Sequence, residues 1–381
     1  MITNKIISSF STILFFLIFL VIGVASFISN SFAKDDQYPN ISGKVLFESR
    51  SDLLMSSNKD NISKDYSSIN IEPAFSLNVN NNWSVKTNWR ISPFYNRDSS
   101  RPERFREILS ENHRCIQFGH EDLLVEQLKG EFQNDDMKFF FGKFNPAFGT
   151  AWKRDKKIGI FTSDFTRDYE LREKIGVGGT AILEKSEITL SGFFNDVSGL
   201  SSTALNKREK ESVSDGVAGN TSSLSSYVIS IDGKDFLDVA NLTYNLGYSK
   251  LTAGSIQNRG DQSGYAGGLE YTIPVGFNTY VIPYMEVAKI NNMAGEIDRN
   301  ALYTTLALIG KYNSWTGSIS RIGRDIRQKN IYGNVADYQV QVTAGYKFRN
   351  NISVDVTRMR LKEDGYNASL IGILVSYTYQ F

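Results

Sequence analysis

Cysteine, histidine and proline are scarce in this chain, and each scarcity removes a class of chemistry. Its 381 residues include one Cys, two His and 7 Pro. A lone thiol, Cys115, excludes an intramolecular disulfide framework. His113 and His120 flank that thiol within one short segment, so His113-x-Cys115-x4-His120 offers three ligands at a spacing that fits no common zinc pattern. No metal and no cofactor are expected. A hydrolase would need a nucleophile or activated water, usually with a His base, and no Ser or Asp is marked out as partner to either histidine. Excess charge of one sign is also missing. Without Lys5 the chain has 41 basic and 41 acidic residues, and nothing in that balance points to nucleic acid.

Long apolar runs are missing too, with one exception at the N-terminus. Lys5 is followed by an apolar run from Ile13 to Ile28, and Ser31-Phe32-Ala33 places small residues just before Lys34-Asp35-Asp36. Positive start, apolar stretch and small-x-small together predict a signal peptide over residues 1–33, cleaved to leave 34–381. The run is short for a bilayer span, which takes roughly 20 residues. The chain is expected to be exported.

What is abundant is aromatic and flexible: 25 Phe, 19 Tyr and 30 Gly. The apolar residues alternate with polar ones at period two. Tyr338, Val340, Val342, Ala344, Tyr346 and Phe348 interleave with Gln339, Gln341, Thr343, Gly345, Lys347 and Arg349. Ile371, Ile373, Val375, Tyr377, Tyr379 and Phe381 share one face of the last segment, and Trp83, Val85, Trp89, Ile91 and Tyr95 share one face of another. Successive strand side chains point to opposite faces. Segments of this kind run 11–13 residues, beyond the roughly 5–6 of soluble strands and enough for a tilted membrane strand. Aromatics fall at their ends, where interfacial girdles put them.

These signals predict an all-β fold, a transmembrane antiparallel β-barrel of about 16 strands. The strands are expected at 43–50, 70–80, 83–95, 121–133, 137–144, 174–185, 186–197, 226–233, 241–254, 263–274, 279–290, 300–313, 314–324, 337–349, 351–362 and 369–381. Long connections (51–69, 96–120, 145–173, 198–225, 255–262, 291–299, 325–336, 363–368) alternate with short ones such as Asn81-Asn82 and Asn350-Asn351. One rim then carries loops and the other tight turns, with both termini on the turn side. On this register Val342 faces lipid. Gln341 faces the lumen, where a charge should be tolerated. Lys86, Arg90, Lys347, Arg349 and Asp355 point inward.

The end of the chain, Tyr377-x-Tyr379-x-Phe381, resembles the assembly signal of the general porins of Gram-negative outer membranes. Phe141-Gly-Lys-Phe-Asn-Pro-Ala-Phe148-Gly149 is similar to the strand end that leads into the third loop of such proteins. The resemblance implies a water-filled channel for passive diffusion of small hydrophilic solutes and ions. It also implies a homotrimer in outer-membrane lipid and lipopolysaccharide, inserted by the outer-membrane assembly machinery, with both termini periplasmic. The third loop, 145–173, would fold into the lumen as a constriction, with Asp164, Asp168 and Glu170 on the loop side and Lys86 and Arg90 on the wall side. The long third loop and the charged segment 96–120 depart from the best-known porins. A plugged or adhesin-type barrel, and less readily a barrel hydrolase, are the alternatives.

Overall fold

A computed structural model describes residues 38–58, 65–93, 115–116, 121–204, 208–215, 217–254, 258–328 and 333–381. The expected signal peptide, both histidines and most of the segment 96–120 lie outside these residues. The described chain is a closed antiparallel barrel of 16 strands. The first eight are β1 (Asn40–Ser57), β2 (Asp65–Asn78), β3 (Trp83–Pro93), β4 (Glu121–Gln133), β5 (Met137–Phe144), β6 (Lys174–Ile182), β7 (Ser186–Asn195) and β8 (Ser226–Gly233). Then follow β9 (Leu242–Leu251), β10 (Gln262–Tyr271, prolonged beyond Thr272 by Ile273–Gly276), β11 (Thr279–Asn291) and β12 (Arg299–Tyr312). The last four are β13 (Trp315–Gln328), β14 (Gly333–Lys347), β15 (Ile352–Glu363) and β16 (Tyr366–Gln380). A two-residue piece, Cys115–Ile116, lies parallel to Tyr66 and Ser67 of β2. Among the described residues no helix is long and apolar enough to cross a membrane.

Closure is made by β1 and β16, which pair antiparallel from Lys44↔Gln380 to Ser57↔Ala368. The last residue completes the seam: Phe381 and Gly43 exchange backbone hydrogen bonds of 3.0 and 3.1 Å. A side chain at Gly43 would run into the Phe381 ring. That ring lies 6.0 Å from Phe75 and stacks at 5.8 Å on Tyr379, while Tyr377 stacks on Phe47.

The alternation read from the sequence is the alternation of the wall. Val342 is 57% exposed outside and Gln341 fully buried inside. Aromatic rows stand at both rims. Trp83–Phe132, Trp315–Tyr346 and Tyr346–Phe348 mark the short-turn side, and Tyr227–Tyr248–Tyr265 the loop side. Both ends of the described chain reach the short-turn rim.

Two features differ from the expectation. Several strands run further toward the loops than the apolar pattern does: β1 ends at Ser57 rather than 50, and β14 begins at Gly333 rather than 337. On β1 the outward row is broken by Ser49 and Ser51, opposite Ser67, before Leu53 and Met55 resume it, while the backbone ladder continues. Second, Arg349 lies in the turn after β14 and Lys347 at its exposed end, leaving Asp355 buried on the inner face.

This register has a testable cost. Val342→Lys should destabilise the inserted barrel by about 2–4 kcal/mol, whereas Ser76→Lys, on the accessible inner face of β2, should change it little. Urea unfolding from vesicles decides between them, and equal losses would refute the register. Removal of Phe381 should lower the yield of heat-modifiable barrel while leaving export intact, as fractionation of cells will show.

Candidate functional site

Segment 145–173 leaves the loop-side end of β5 and runs down inside the barrel. It carries two short helices, α1 (Asp155–Ile158) and α2 (Ser163–Thr166), flanked by single 3-10 turns. Asn145 Oδ1 accepts from the Glu173 amide at 2.9 Å, tying the two ends of the segment together. Gly149 has φ +65°, and a Cβ there would meet the Tyr169 ring at 2.7 Å. Only glycine turns the chain inward at that point without strain.

A single carboxylate then clasps the descending strand of the loop. Glu286 of β11 is 1% exposed and accepts from the Thr150 amide (2.6 Å), the Thr150 hydroxyl (2.8 Å), the Ala151 amide (3.1 Å), Tyr169 (2.6 Å) and Tyr284 (3.2 Å). A buried carboxylate is tolerated only when its lone pairs are filled in this way. Beside it Arg154 and Lys157 both pair with Glu270 of β10.

The loop reaches its lowest point at Ile158-Gly159, three residues above the Trp315 row. Ser318 of β13 donates to the Ile158 carbonyl at 2.5 Å. Gly159 has φ +153°, and a Cβ there would strike the Gln341 amide. Gln341 Oε1 accepts from the Phe161 amide at 3.1 Å, and Gln339 Nε2 donates to its carbonyl at 2.8 Å. Gln341 is therefore a docking group for the loop, not a water-facing position free to take a charge.

Apolar side chains complete the contact. Ile160, Phe161 and Phe165 pack on Ile322, Met359, Leu361, Leu370 and Leu374, all on the inner faces of β13, β15 and β16. Phe161 and Phe165 are fully buried, and each contributes roughly 1.5–3 kcal/mol of burial. The inner wall of β11–β16 is sealed beneath the loop. The inner wall of β2 and β3 stays accessible, with Asn70, Glu72, Ser76, Lys86, Asn88 and Arg90 all part-exposed.

The charges expected at a constriction are distributed across this arrangement. Asp168 meets Arg324 of β13 at 3.2 Å and accepts from Tyr303, and Arg324 also holds Asp337 and Glu363 while its guanidinium covers the Phe165 ring. Asp164 approaches Arg50 of β1 at 4.0 Å. Glu170 pairs with Arg172 at 2.6 Å, and Arg172 leads through Glu126 to Arg90. Among the described residues no ion pair joins the three loop acids to Lys86 or Arg90. Arg90 is held by Glu72 and Glu126, and Lys86 by Glu131, all from neighbouring wall strands. Of the five residues, Glu170 and Arg90 are joined through intermediates, Asp164 and Asp168 face other wall arginines, and Lys86 stands apart.

Sequence reasoning missed Glu286, Arg324 and Arg50. Their only signal was a charge in the inward phase of a strand, and for Arg324 the flanking Ile322 and Ile326 hid even that. Among the described residues no group of His, Cys, Asp and Glu is arranged to hold a metal.

No protein-family description and no curated protein matches the chain. Solved structures do. OmpF of Salmonella typhi, in a complex with daunomycin, superimposes with a TM-score of 0.58 at 11% identity, covering 90% of this chain and 98% of that one. The fold is that of Gram-negative outer-membrane porins. The outer-membrane channel DcaP of Acinetobacter baumannii gives 0.54 at 9% identity over 89% and 96% of the two chains. OccK1 (OpdK) of Pseudomonas aeruginosa gives 0.52 at 10% over 90% and 99%. At such identities the likeness is one of fold.

A second contact fixes the loop's return. Glu173 is bonded by Arg208 of the next long connection at 2.6 Å and by Lys143 at 3.2 Å, and Lys143 also meets Asp196 at 2.7 Å. Burial works to raise the Glu173 pKa, but the bonds and charges of Arg208 and Lys143 outweigh it and hold it at about 2. A depressed carboxylate pKa gives stability that is complete above the unfolded value and is lost as pH falls through the folded one. The latch should therefore hold from neutral pH to about pH 4 and open toward pH 2. Limited proteolysis between residues 198 and 225 should speed up over that range in the wild type, and should already be fast at pH 7 in Arg208→Ala. Glu286→Gln should release the 149–151 turn, seen as faster amide exchange there, while the barrel ladder stays protected.

Proposed function

We propose that the chain forms a water-filled channel in the outer membrane for passive diffusion of small hydrophilic solutes and ions, narrowed by segment 145–173. The observation that carries this reading is the one-sided placement of the loop: it covers the inner wall of β11–β16 and leaves the charged wall of β2 and β3 accessible. Water and solute then pass between Lys86, Arg90 and their acid partners on one side and the charged return of the loop on the other. Fixed charges of both signs across a narrow aqueous gap set up a transverse field that sorts solutes by charge and dipole. In this reading the short-turn rim and both termini face the periplasm, residues 1–33 are removed on export, and the Tyr377–Phe381 end serves assembly. A homotrimer is the proposed assembly state, by likeness of fold.

The extensive seal along β11–β16 also favours a second reading, a plugged barrel that binds a ligand without conducting. Single-channel recording in a planar bilayer separates the two, since a plugged barrel gives no unitary steps. If the loop acids border the passage, Asp164→Asn, Asp168→Asn and Glu170→Gln together should leave excess positive potential there and shift reversal potentials toward anion selectivity. The shift should be larger in 0.1 M than in 1 M salt, because the Debye length falls from about 10 Å to about 3 Å. Unchanged selectivity at low salt would place the acids away from the passage.

A further inference from the structure

The apolar row on the outer wall is interrupted midway along β13 and in the second half of β15. Arg321, Arg358 and Arg360 face outward and are exposed, while Ile322, Met359 and Leu361 between them are buried inside under the loop. The ladder makes these arginines one patch. Arg321 pairs with Val340 of β14, and Val340 pairs with Arg360 of β15. Two strand spacings put the two arginines about 10 Å apart in a row, with Arg358 about 7 Å below Arg360. The Arg321 guanidinium lies 5.6 Å from the Tyr338 ring centroid. With strands tilted as in such barrels, each residue adds about 2.6 Å of height. Arg358 then stands about 10 Å, and Arg321 and Arg360 about 15 Å, above the Trp315–Tyr346 row, inside an apolar band about 25 Å tall.

Cations on the lipid face of that band are costly unless something compensates them. None of the three forms an ion pair with a described carboxylate. The acid on the outward faces of β11–β16 is Asp325, four residues beyond Arg321 and unpaired with it. Among residues whose side chains are described, no other strand presents a carboxylate outward. Among the described strands a second copy of the chain thus offers the patch no outward carboxylate beyond Asp325. Next to the patch is a hollow of about 420 Å³ bounded by Ser57, Tyr338, Arg358, Arg360, Asn367 and Ser369. Its neutral walls supply hydroxyl and amide donors beside the guanidinium groups.

We propose that Arg321, Arg358 and Arg360, with Asn367 and Ser369, bind the phosphate of a lipid headgroup in the leaflet on the long-loop side. The inference rests on the membrane-barrel reading above and gives it a specific lipid contact. Guanidinium forks match phosphate oxygens in paired hydrogen bonds. From backbone positions about 5 Å (Arg321, Arg360) and about 10 Å (Arg358) below the Tyr338 level, the long side chains reach up toward the headgroups, and Arg358 and Arg360 line the same hollow as Tyr338.

The test refolds the wild type and the Arg321→Gln/Arg358→Gln/Arg360→Gln variant into phosphatidylcholine vesicles with and without diphosphorylated lipid A. The midpoint of heat modification on gels is read for each. Lipid A should raise the wild-type midpoint by several degrees and leave the variant's unchanged, and inorganic phosphate should move neither. Equal shifts in both proteins, or none in the wild type, would overturn the site. A shift produced by inorganic phosphate alone would overturn the lipid as its source. Efficient disulfide dimers of Arg358→Cys in phosphatidylcholine would overturn it in favour of a second copy. If the triple variant does not insert, Arg360→Gln alone should cut the response by about half. Failure of the wild type to insert into either vesicle would overturn the barrel reading itself.

Discussion

In hydrocarbon an unpaired backbone amide or carbonyl has no water to turn to, so a sheet crosses a membrane only if it has no edge. Everything else in this molecule depends on that condition. The pairing of β1 with β16 meets it along a ladder from Ser57↔Ala368 down to Lys44↔Gln380, and Gly43 with Phe381 extends it by one more pair of hydrogen bonds. The absence of a side chain at Gly43 is part of the same device, since it leaves room for the Phe381 ring against the wall.

Closing sixteen strands leaves an interior too wide for wall side chains to fill. Here the filling is supplied by one connection. It replaces water over the inner wall of β11–β16 with Ile158, Ile160, Phe161 and Phe165 and bonds its backbone to Ser318, Gln339, Gln341 and Glu286. The apolar inner faces of β13, β15 and β16 make sense only under that cover. The arginines Arg358 and Arg360 stand outside because Met359 and Leu361, in the opposite phase of the same strand, are needed inside.

The barrel was legible because lipid enforces period two over long segments. Even the weak segment at 226–233 forms the strand Ser226–Gly233. Legibility failed at the strand ends: in β1 outward Ser49 and Ser51 interrupt the period-two signal, and the extensions of β1 and β14 are held from inside by Leu54, Val335 and Asp337, whose partners lie elsewhere in the chain. The inward course of 145–173 was suggested by its length and by its likeness to porin third loops. Its partners were not. A glutamate in the middle of β11 reads as one more lumen charge until Thr150, Ala151 and Tyr169 are brought to it from more than a hundred residues away. The wall arginines that Asp164 and Asp168 meet were illegible for the same reason, since charge type alone does not tell which of many inward arginines a loop will reach.

The position of Ile160 and Phe161 bears on the order of events as well as on the finished shape. They lie against Gly372 of the last strand, and Arg50 of the first strand covers the Phe161 ring while donating to the Ile160 carbonyl. One loop, anchored midway round the wall at Glu286, thus touches both strands that must find each other last. A chain with that loop already seated offers its two free edges a common surface on which to meet. Closing the ring then becomes the final step of docking onto a core rather than a search between two distant ends.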